Sequence, residues 1–369
     1  MHIVQCLSNS THGGAQQVVY LLVMTLQKLR PDLRQSVVLP EGGVYGERFR
    51  SLGINAYHVP LNKISPAVSH EVRNLFRSIG PTVVHTHGKG AGLYGRRARR
   101  GEFQYRTIHS FHGIHPPNGH IRKLMYLRLE RSLAHDTDAV VGVSRSEADE
   151  ITAAIPRLDG KITVIPNIVD LPAVVRASEG EVPTDIRSIL DTNTGSFVIT
   201  MIGRDDPLKN YPLAFSTAAL VMKRVEQAVF VFVGGNPESR DGRDLLSKYP
   251  ERTLIVPHLE NTAPLIRRTN VILLTSRKEG APISLLEGFA LGVPAVGTNV
   301  PGIQDSISDR NNGILCDENP EALSAALESV IRDSSLYARL RNGASETAKK
   351  FDVQAWALNY ARIYGLEGG

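Results

Sequence analysis

The chain has 369 residues, 42% of them hydrophobic and 21% charged, with a formal net charge of +5. That length is too great for one ordinary core and points to two domains, while no run reaches the roughly 18 apolar residues that a membrane span needs. The only cysteines, Cys6 and Cys316, lie far apart in strand-like segments, which excludes a disulfide framework or a cysteine metal site and suits a reducing cytoplasm.

Residues 1–7 read as a first strand with no basic stretch ahead of it, so no secretory signal is expected. From there short apolar strands alternate with helix-length segments, the pattern of parallel sheets covered by helices. Strands are expected at 2–7, 34–39, 82–86, 106–110, 139–143 and 162–165, and a second series at 197–202, 229–233, 253–256, 271–274, 294–297 and 313–315. Each series reads as a doubly wound α/β sheet. Between them, 167–194 contains Pro172, Gly180 and Pro183 and has hinge chemistry. The expected division is a Rossmann-like domain at 1–170, a linker at 171–194, a second Rossmann-like domain at 195–350 and a terminal helix at 351–369. Ligands of such sheets sit beyond the carboxyl ends of the strands, so two facing sheets are expected to line a cleft.

Candidate residues come from the strand ends. Gly13 and Gly14 follow the first strand, where adjacent glycines let the backbone approach a ligand, or simply make a flexible turn. Gly90-Ala91-Gly92-Leu93-Tyr94-Gly95 fits the dinucleotide pattern but lacks an acid at a strand end about 20 residues on, and reads as a small-residue helix start. Just beyond it stand Arg96, Arg97, Arg99 and Arg100, with Arg122, Lys123, Arg128 and Arg131 further along. Up to residue 180 there are 22 Lys and Arg against 14 Asp and Glu. Such a field attracts phosphate in a nucleic acid, a lipid headgroup or a lipid-linked diphosphate, unless it is only the solvated face of a helix. His112 ends a strand and can bond a sugar hydroxyl or be structural. His85, His87 and His109 are nearby, but their spacing supports no metal site.

In the second series, Gly203-Arg204 and Lys209 place a glycine and two cations after a strand, suited to holding a diphosphate and stabilising it as it leaves. Gly234 and the pair His258-Leu259 mark two more strand ends suited to contacts with a base. The segment from Glu279 through Gly280, Ala281, Pro282, Ile283, Ser284, Leu285 and Leu286 to Glu287 follows another strand. Pro282 suits a first helical turn, the helix start offers backbone N–H groups to an anion, and Glu287 lies about two turns inside. A capped amphipathic helix with two surface acids is the alternative.

Taken together, these segments resemble the retaining glycosyltransferases of the GT-B fold, specifically family 4. The resemblance covers essentially the whole chain. It rests on Gly13-Gly14-Ala15, Val83-Val84-His85-Thr86-His87-Gly88, Phe111-His112-Gly113, Val143-Ser144, Val164-Ile165-Pro166-Asn167, Gly203-Arg204 with Lys209, the Glu-x7-Glu run, Gly292-Val293-Pro294 and Pro301-Gly302. The segment from Phe351 to Tyr364 resembles the family's terminal helix, which crosses back onto the first domain.

The resemblance implies metal-independent transfer of a glycosyl unit from a nucleotide sugar, most suitably a UDP-sugar, to a lipid-linked or cell-surface glycan, with the anomeric configuration retained. Arg204 and Lys209 would neutralise the diphosphate, Glu287 bond the ribose and Glu279 bond the donor sugar. N–H groups from Ala281 to Ser284 would help, Gly14 would leave room for the diphosphate, and His112 would contact the sugar from the other side. No matching position supplies a nucleophile, so a front-face route is expected, in which the leaving phosphate oxygen takes the acceptor's proton. A cytoplasmic protein resting peripherally on anionic membrane through its arginine cluster is expected, with no nucleic acid as partner. An epimerase or other enzyme of the same fold, or a noncatalytic nucleotide-binding module, are the alternatives. Three positions depart from the family pattern: Ala281, Gly288, and Asn210 where glycine is frequent after the lysine.

Overall fold

The computed structural model describes residues 1–99, 103–114, 116–117 and 119–366. It divides into two compact units, 1–168 with 353–369, and 169–352.

The first unit is built on seven parallel strands, β1 (His2–Leu7), β2 (Arg34–Leu39), β3 (Asn55–His58), β4 (Val83–His87), β5 (Arg106–Ser110), β6 (Ala139–Gly142) and β7 (Ile162–Val164), in the order β3-β2-β1-β4-β5-β6-β7. The order reverses between β1 and β4, which pair from Ile3 with Val83 to Leu7 with His87. β3 has no counterpart among the expected strands, because the sequence Asn-Ala-Tyr-His carries no apolar run and forms a sheet edge with both end residues exposed. The terminal helix Val353–Tyr364 belongs to this unit. It packs on helix Gly14–Leu29, and its Trp356 indole N–H donates to the Pro166 carbonyl at 3.0 Å.

The second unit holds β8 (Phe197–Ile202), β9 (Ala228–Val233), β10 (Thr253–Val256), β11 (Val271–Leu274), β12 (Ala295–Thr298) and β13 (Gly313–Cys316), ordered β10-β9-β8-β11-β12-β13. Here the reversal lies between β8 and β11. Its strands are buried on both faces, as a parallel sheet requires, and Val229, Phe230, Val231 and Phe232 are fully enclosed.

The stretch 171–194, expected as a linker, instead carries helices Leu171–Ala177 and Thr184–Thr192. Pro172 stands in a first turn and Pro183 at an N-cap, positions where proline is compatible with a helix, and the Asp170 carboxylate accepts from the Ala173 N–H at 3.0 Å. Ile186 and Leu190 then close a core cluster with Val198, Val229 and Val231.

Candidate active site

In an open parallel sheet the loops leaving the strands at the order reversal diverge and leave a crevice. In the second unit those loops follow β8 and β11, and they bring together two residues 70 positions apart. Lys209 Nζ donates to Glu279 Oε1 at 2.5 Å, and the Ser276 hydroxyl donates to the same oxygen at 2.5 Å. Their side chains are 24% and 12% exposed, so the pair is half-sheltered yet within reach of a ligand. With Oε1 already accepting two hydrogen bonds, Oε2 is the oxygen through which Glu279 can address a partner.

Several contacts fix this geometry. The Arg277 N–H donates to the Leu208 carbonyl at 2.8 Å and the Thr275 hydroxyl to the Lys209 carbonyl at 2.9 Å, clamping the two loops together. Asn210 adopts a left-handed backbone, φ 56°, at the start of helix Tyr211–Arg224. Asparagine tolerates that conformation better than other side-chain-bearing residues, which accounts for it where a glycine is frequent. Its amide also donates to Glu318 at 3.0 Å.

Gly234 is required by close approach, and Gly203 is packed closely by a flexible side chain. A Cβ on Gly203 would lie 3.1 Å from the Lys209 stem, and one on Gly234, at φ 92°, would lie 2.0 Å from the Gly203 carbonyl oxygen. Gly302 supports Glu279 from behind in the same way. The Glu279 N–H donates to the Pro301 carbonyl at 3.1 Å, and a Cβ on Gly302 would sit 2.2 Å from the Glu279 carbonyl oxygen.

Helix Ile283–Ala290 begins after Pro282, which is its N-cap and accepts from the Leu285 N–H at 3.2 Å. Glu287 is therefore one turn inside the helix, not two. The Ile283 and Ser284 N–H groups precede the first hydrogen bonds of the helix, which run from Leu285 and Leu286 to the Pro282 carbonyl. Ile283, Leu285 and Leu286 are buried, whereas Ala281, Ser284 and Glu287 form a half-exposed line at three-residue spacing. Thr262, beyond the end of β10, donates to Glu287 at 3.4 Å. His258 is exposed and Leu259 half-buried at the same strand end. Arg204 is exposed and makes no ion pair among the described residues.

The remaining candidates lie in the first unit. Gly13 caps helix Gly14–Leu29, whose first turn has no acid, and Gly14 is exposed. His112 follows β5 with a left-handed φ of 55° and is half-buried. Its Nε2 is 3.0 Å from His87 Nδ1, His87 Nε2 is 2.8 Å from Gln5 Oε1, and Gln5 Nε2 donates to the Tyr364 hydroxyl at 3.0 Å. Tyr364 in turn is 2.8 Å from His85 Nδ1, and His85 Nε2 is 2.9 Å from the Ser110 hydroxyl. Burial lowers the affinity of these imidazoles for protons, taking His112 down to about 4 and holding His85 and His87 well below the ordinary range. His85 and His87 use both ring nitrogens within this relay, whereas His112 uses only Nε2 in it. Among the described residues, no group of three His, Cys, Asp or Glu is placed to hold a metal ion.

Glu147 was not singled out by the sequence. It is 2% exposed, and its carboxylate accepts from the Val143 N–H at 2.6 Å and from the Gly113 N–H, which holds the turn that carries His112. The signal was present in Ser144-Arg145-Ser146-Glu147, a capping-box spacing in which Ser144 accepts from the Glu147 N–H at 3.1 Å.

Among the described residues of the arginine cluster, Arg96 is withdrawn from the surface. Arg96 is fully buried, paired with Glu130 at 2.8 Å and donating through Nε to the Gly92 carbonyl. Arg99 is paired with Asp138 at 2.7 Å, Arg97 is exposed, and Arg100 lies outside the described residues. Arg96 and Arg97 fall on helix Lys89–Ala98 and Arg99 is its C-cap, and the helix's inner face turns Arg96 towards the helix that carries Glu130.

Comparison with known proteins agrees with this architecture. The family model Glycosyltransferase Family 4 matches residues 12–172, and Glycosyl transferases group 1 matches residues 183–347. The UDP-Gal:alpha-D-GlcNAc-diphosphoundecaprenol alpha-1,3-galactosyltransferase of Escherichia coli is 28% identical over 73% of this chain and 72% of its own. The D-inositol 3-phosphate glycosyltransferase of Xylanimonas cellulosilytica is 26% identical over 64% of this chain, which spans 58% of that relative. Among solved structures, Anabaena HepE in complex with UDP and glucose superposes with a TM-score of 0.81 at 17% identity, covering 99% of both chains. With the two family models accounting for both units in turn, the chain is a GT-B-fold glycosyltransferase related to family 4 and to the glycosyl transferases group 1.

Proposed function

We propose that the chain transfers a sugar from a nucleotide diphosphate sugar, a UDP-sugar by preference, to a lipid-linked or cell-surface glycan, retaining the anomeric configuration and using no metal ion. The observation that carries this reading is the Lys209–Glu279 pair at the order reversal of the second sheet, beside the start of helix Ile283–Ala290. Lys209 has further N–H groups to give a diphosphate, exposed Arg204 can fork two phosphate oxygens, and the first-turn N–H groups of the helix add partial positive charge. These groups offset the charge that grows on the leaving diphosphate, the work a divalent cation does in other transferases.

Glu279 holds donor-sugar hydroxyls through Oε2, Glu287 holds the ribose, and His258 and Leu259 lie beside the base. Gly13 and Gly14 give the diphosphate room, and His112 bonds a sugar hydroxyl. In the front-face route the bond from the anomeric carbon to the diphosphate breaks. The leaving oxygen takes the acceptor hydroxyl's proton, and the new glycosidic bond forms on the same face. The named substrate of the E. coli relative, a sugar on diphosphoundecaprenol, supports a lipid-linked acceptor.

The test is a panel of nucleotide sugars incubated with short-chain polyprenyl-diphosphate sugars, with and without EDTA, the product's anomeric configuration being read by NMR. Acceptor-dependent, EDTA-resistant transfer with retention is expected. Inversion, abolition by EDTA, or consumption of the donor without transfer, as an epimerase would show, overturns the proposal.

A further inference from the structure

Glu318, two residues beyond the end of β13, is bonded to the loops that carry both members of the Lys209–Glu279 pair. Its Oε1 accepts from the Asn210 side-chain amide at 3.0 Å and lies 3.2 Å from Arg277 Nε. Asn210 directly follows Lys209, and Arg277 stands two residues before Glu279. One oxygen therefore ties together the loops that leave β8, β11 and β13. An acid just before a helix, as Glu318 is before helix Pro320–Arg332, ordinarily serves as a cap. Here Asn319 does that work, its side-chain oxygen accepting from the Ala322 N–H at 2.8 Å. The Glu318 carboxylate reaches instead to the N-cap of helix Tyr211–Arg224, which packs against helix Pro320–Arg332. It thus lies by the N-terminal ends of two packed helices, where partial positive charge favours an anion.

We propose that Glu318 is a positioning residue for sugar transfer, holding the two loops in register so that Lys209 Nζ stays on Glu279 Oε1 and both face the donor. Backbone contacts already join the loops at Leu208 and Lys209. Glu318 adds a tie just after the lysine, at the left-handed residue where the chain turns into its helix. A glycine at 210 would meet that φ with no side chain to hold. Asparagine supplies an amide, and Glu318 holds it. With the Glu318 side chain 39% exposed and that of Arg277 58%, little stability is at stake. Displacement of a charge aimed at a leaving group, by contrast, is costly in rate. The proposal rests on the donor-site reading above, and the crystallographic arm of its test separates the two.

The experiment compares the full-length parent with Glu318→Ala, Glu318→Gln and Glu328→Ala, by initial rates of nucleoside diphosphate release across donor concentrations and by crystal structures. Glu318→Ala is expected to lower kcat by roughly ten- to a hundredfold while donor KM changes by less than about threefold. In its crystal structure Lys209 Nζ is expected to part from Glu279 Oε1. Glu318→Gln keeps an oxygen that can accept from Asn210 and Arg277, and is expected to stay within about threefold of the parent. Glu328 pairs with Arg224 at 2.9 Å, at the other end of helix Tyr211–Arg224. Glu328→Ala therefore breaks an ion pair between the same two helices away from the site, and is expected to keep the parental rate. In a Lys209→Met background Glu318→Ala is expected to cost little more, because no lysine is left to aim. An unmoved pair in the Glu318→Ala crystal overturns the inference, as does a kcat within about threefold of an active parent. So do absence of rescue by Glu318→Gln, equal loss in Glu328→Ala, or a loss that multiplies with that of Lys209→Met. A parent that transfers no sugar, with the pair parted in Glu318→Ala, leaves the tie standing and overturns the donor-site reading alone.

Discussion

The most direct test of the donor clamp is a double-mutant cycle on Lys209 and Glu279. Glu279 Oε1 accepts from both Lys209 Nζ and Ser276 Oγ at 2.5 Å, so Glu279→Gln keeps the shape and the serine contact but removes the charge that aims the lysine. Lys209→Met removes the cation proposed to meet the leaving diphosphate. Loss of one preorganised charge at a developing anion costs about 10²- to 10³-fold in kcat, and that is the fall expected for Lys209→Met. Glu279→Gln, which loosens the lysine and weakens the sugar contact, is expected to lose on the order of 10²-fold. If the two act as one unit, the double variant falls short of the product of the single losses by roughly ten- to a hundredfold, a coupling of about 1.4 to 2.7 kcal/mol. The assay is the initial rate of nucleoside diphosphate release with acceptor present, on variants whose melting curves match the parent. Both side chains keep some solvent contact, so only small changes in stability are expected. Strictly multiplicative losses in folded variants would refute the coupling, and parental activity in Lys209→Met would refute the site.

Four further outcomes are expected. Arg96→Met strands the Glu130 carboxylate in the interior and should cost about 3–5 kcal/mol in urea unfolding, whereas Arg97→Ala, at an exposed position, should stay within roughly 0.5 kcal/mol. Asn210→Ala should destabilise by about 1–2 kcal/mol because alanine resists φ 56°, while Asn210→Gly should keep the backbone and lose only the amide contact to Glu318. The buried imidazoles bind protons less readily folded than unfolded, so their contribution is present above the unfolded value near 6.5 and is lost as pH falls. For His112 alone the loss approaches about 3 kcal/mol as pH nears about 4, with His85, His87 and His109 acting in the same direction, and an unchanged urea midpoint between about pH 7 and pH 5 would contradict it. Tyr364→Phe leaves the Gln5 amide and His85 without their shared hydroxyl and should lower stability by about 1–3 kcal/mol, read as a shift in the urea midpoint.

The architecture was legible in the sequence where burial on both faces leaves an unbroken apolar run, as in Ala228–Val233, and where a glycine or proline closes that run. It was not legible at β3, where an edge strand needs no such run, nor at 171–194, where prolines that start helices read as breakers. The same division holds for the site. Lys209 and Glu279 stood out because their strand ends were recognisable, and the sheet order then brings them into contact. Arg96 misled because composition counts charges without regard to the face of the helix on which they fall. Only the pairing with Glu130, 34 residues on, distinguishes a buried guanidinium from a surface one. Asn210 became interpretable only with its φ, since a left-handed residue cannot be identified from its neighbours.

The terminal helix has a chemical consequence at His112 that follows from the directions of the hydrogen bonds. A carbonyl oxygen can only accept, so Gln5 Oε1 requires the His87 proton to sit on Nε2. The neutral His87 ring then offers Nδ1 as an acceptor, and His112 must donate to it from Nε2, leaving its own Nδ1 as a lone pair for an incoming hydroxyl. With the Gln5 amide N–H donating to the Tyr364 oxygen, the phenol proton is free for His85 Nδ1 and the His85 proton sits on Nε2, facing Ser110. Turning the amide over would reverse every donor along the chain and present an N–H at His112 instead. Since burial keeps these rings neutral near pH 7, no added proton relieves the constraint there. The face that the Gln5 amide turns to His87 therefore sets whether His112 accepts or donates, and the Tyr364 hydroxyl, which can do either, completes the relay from the end of the terminal helix.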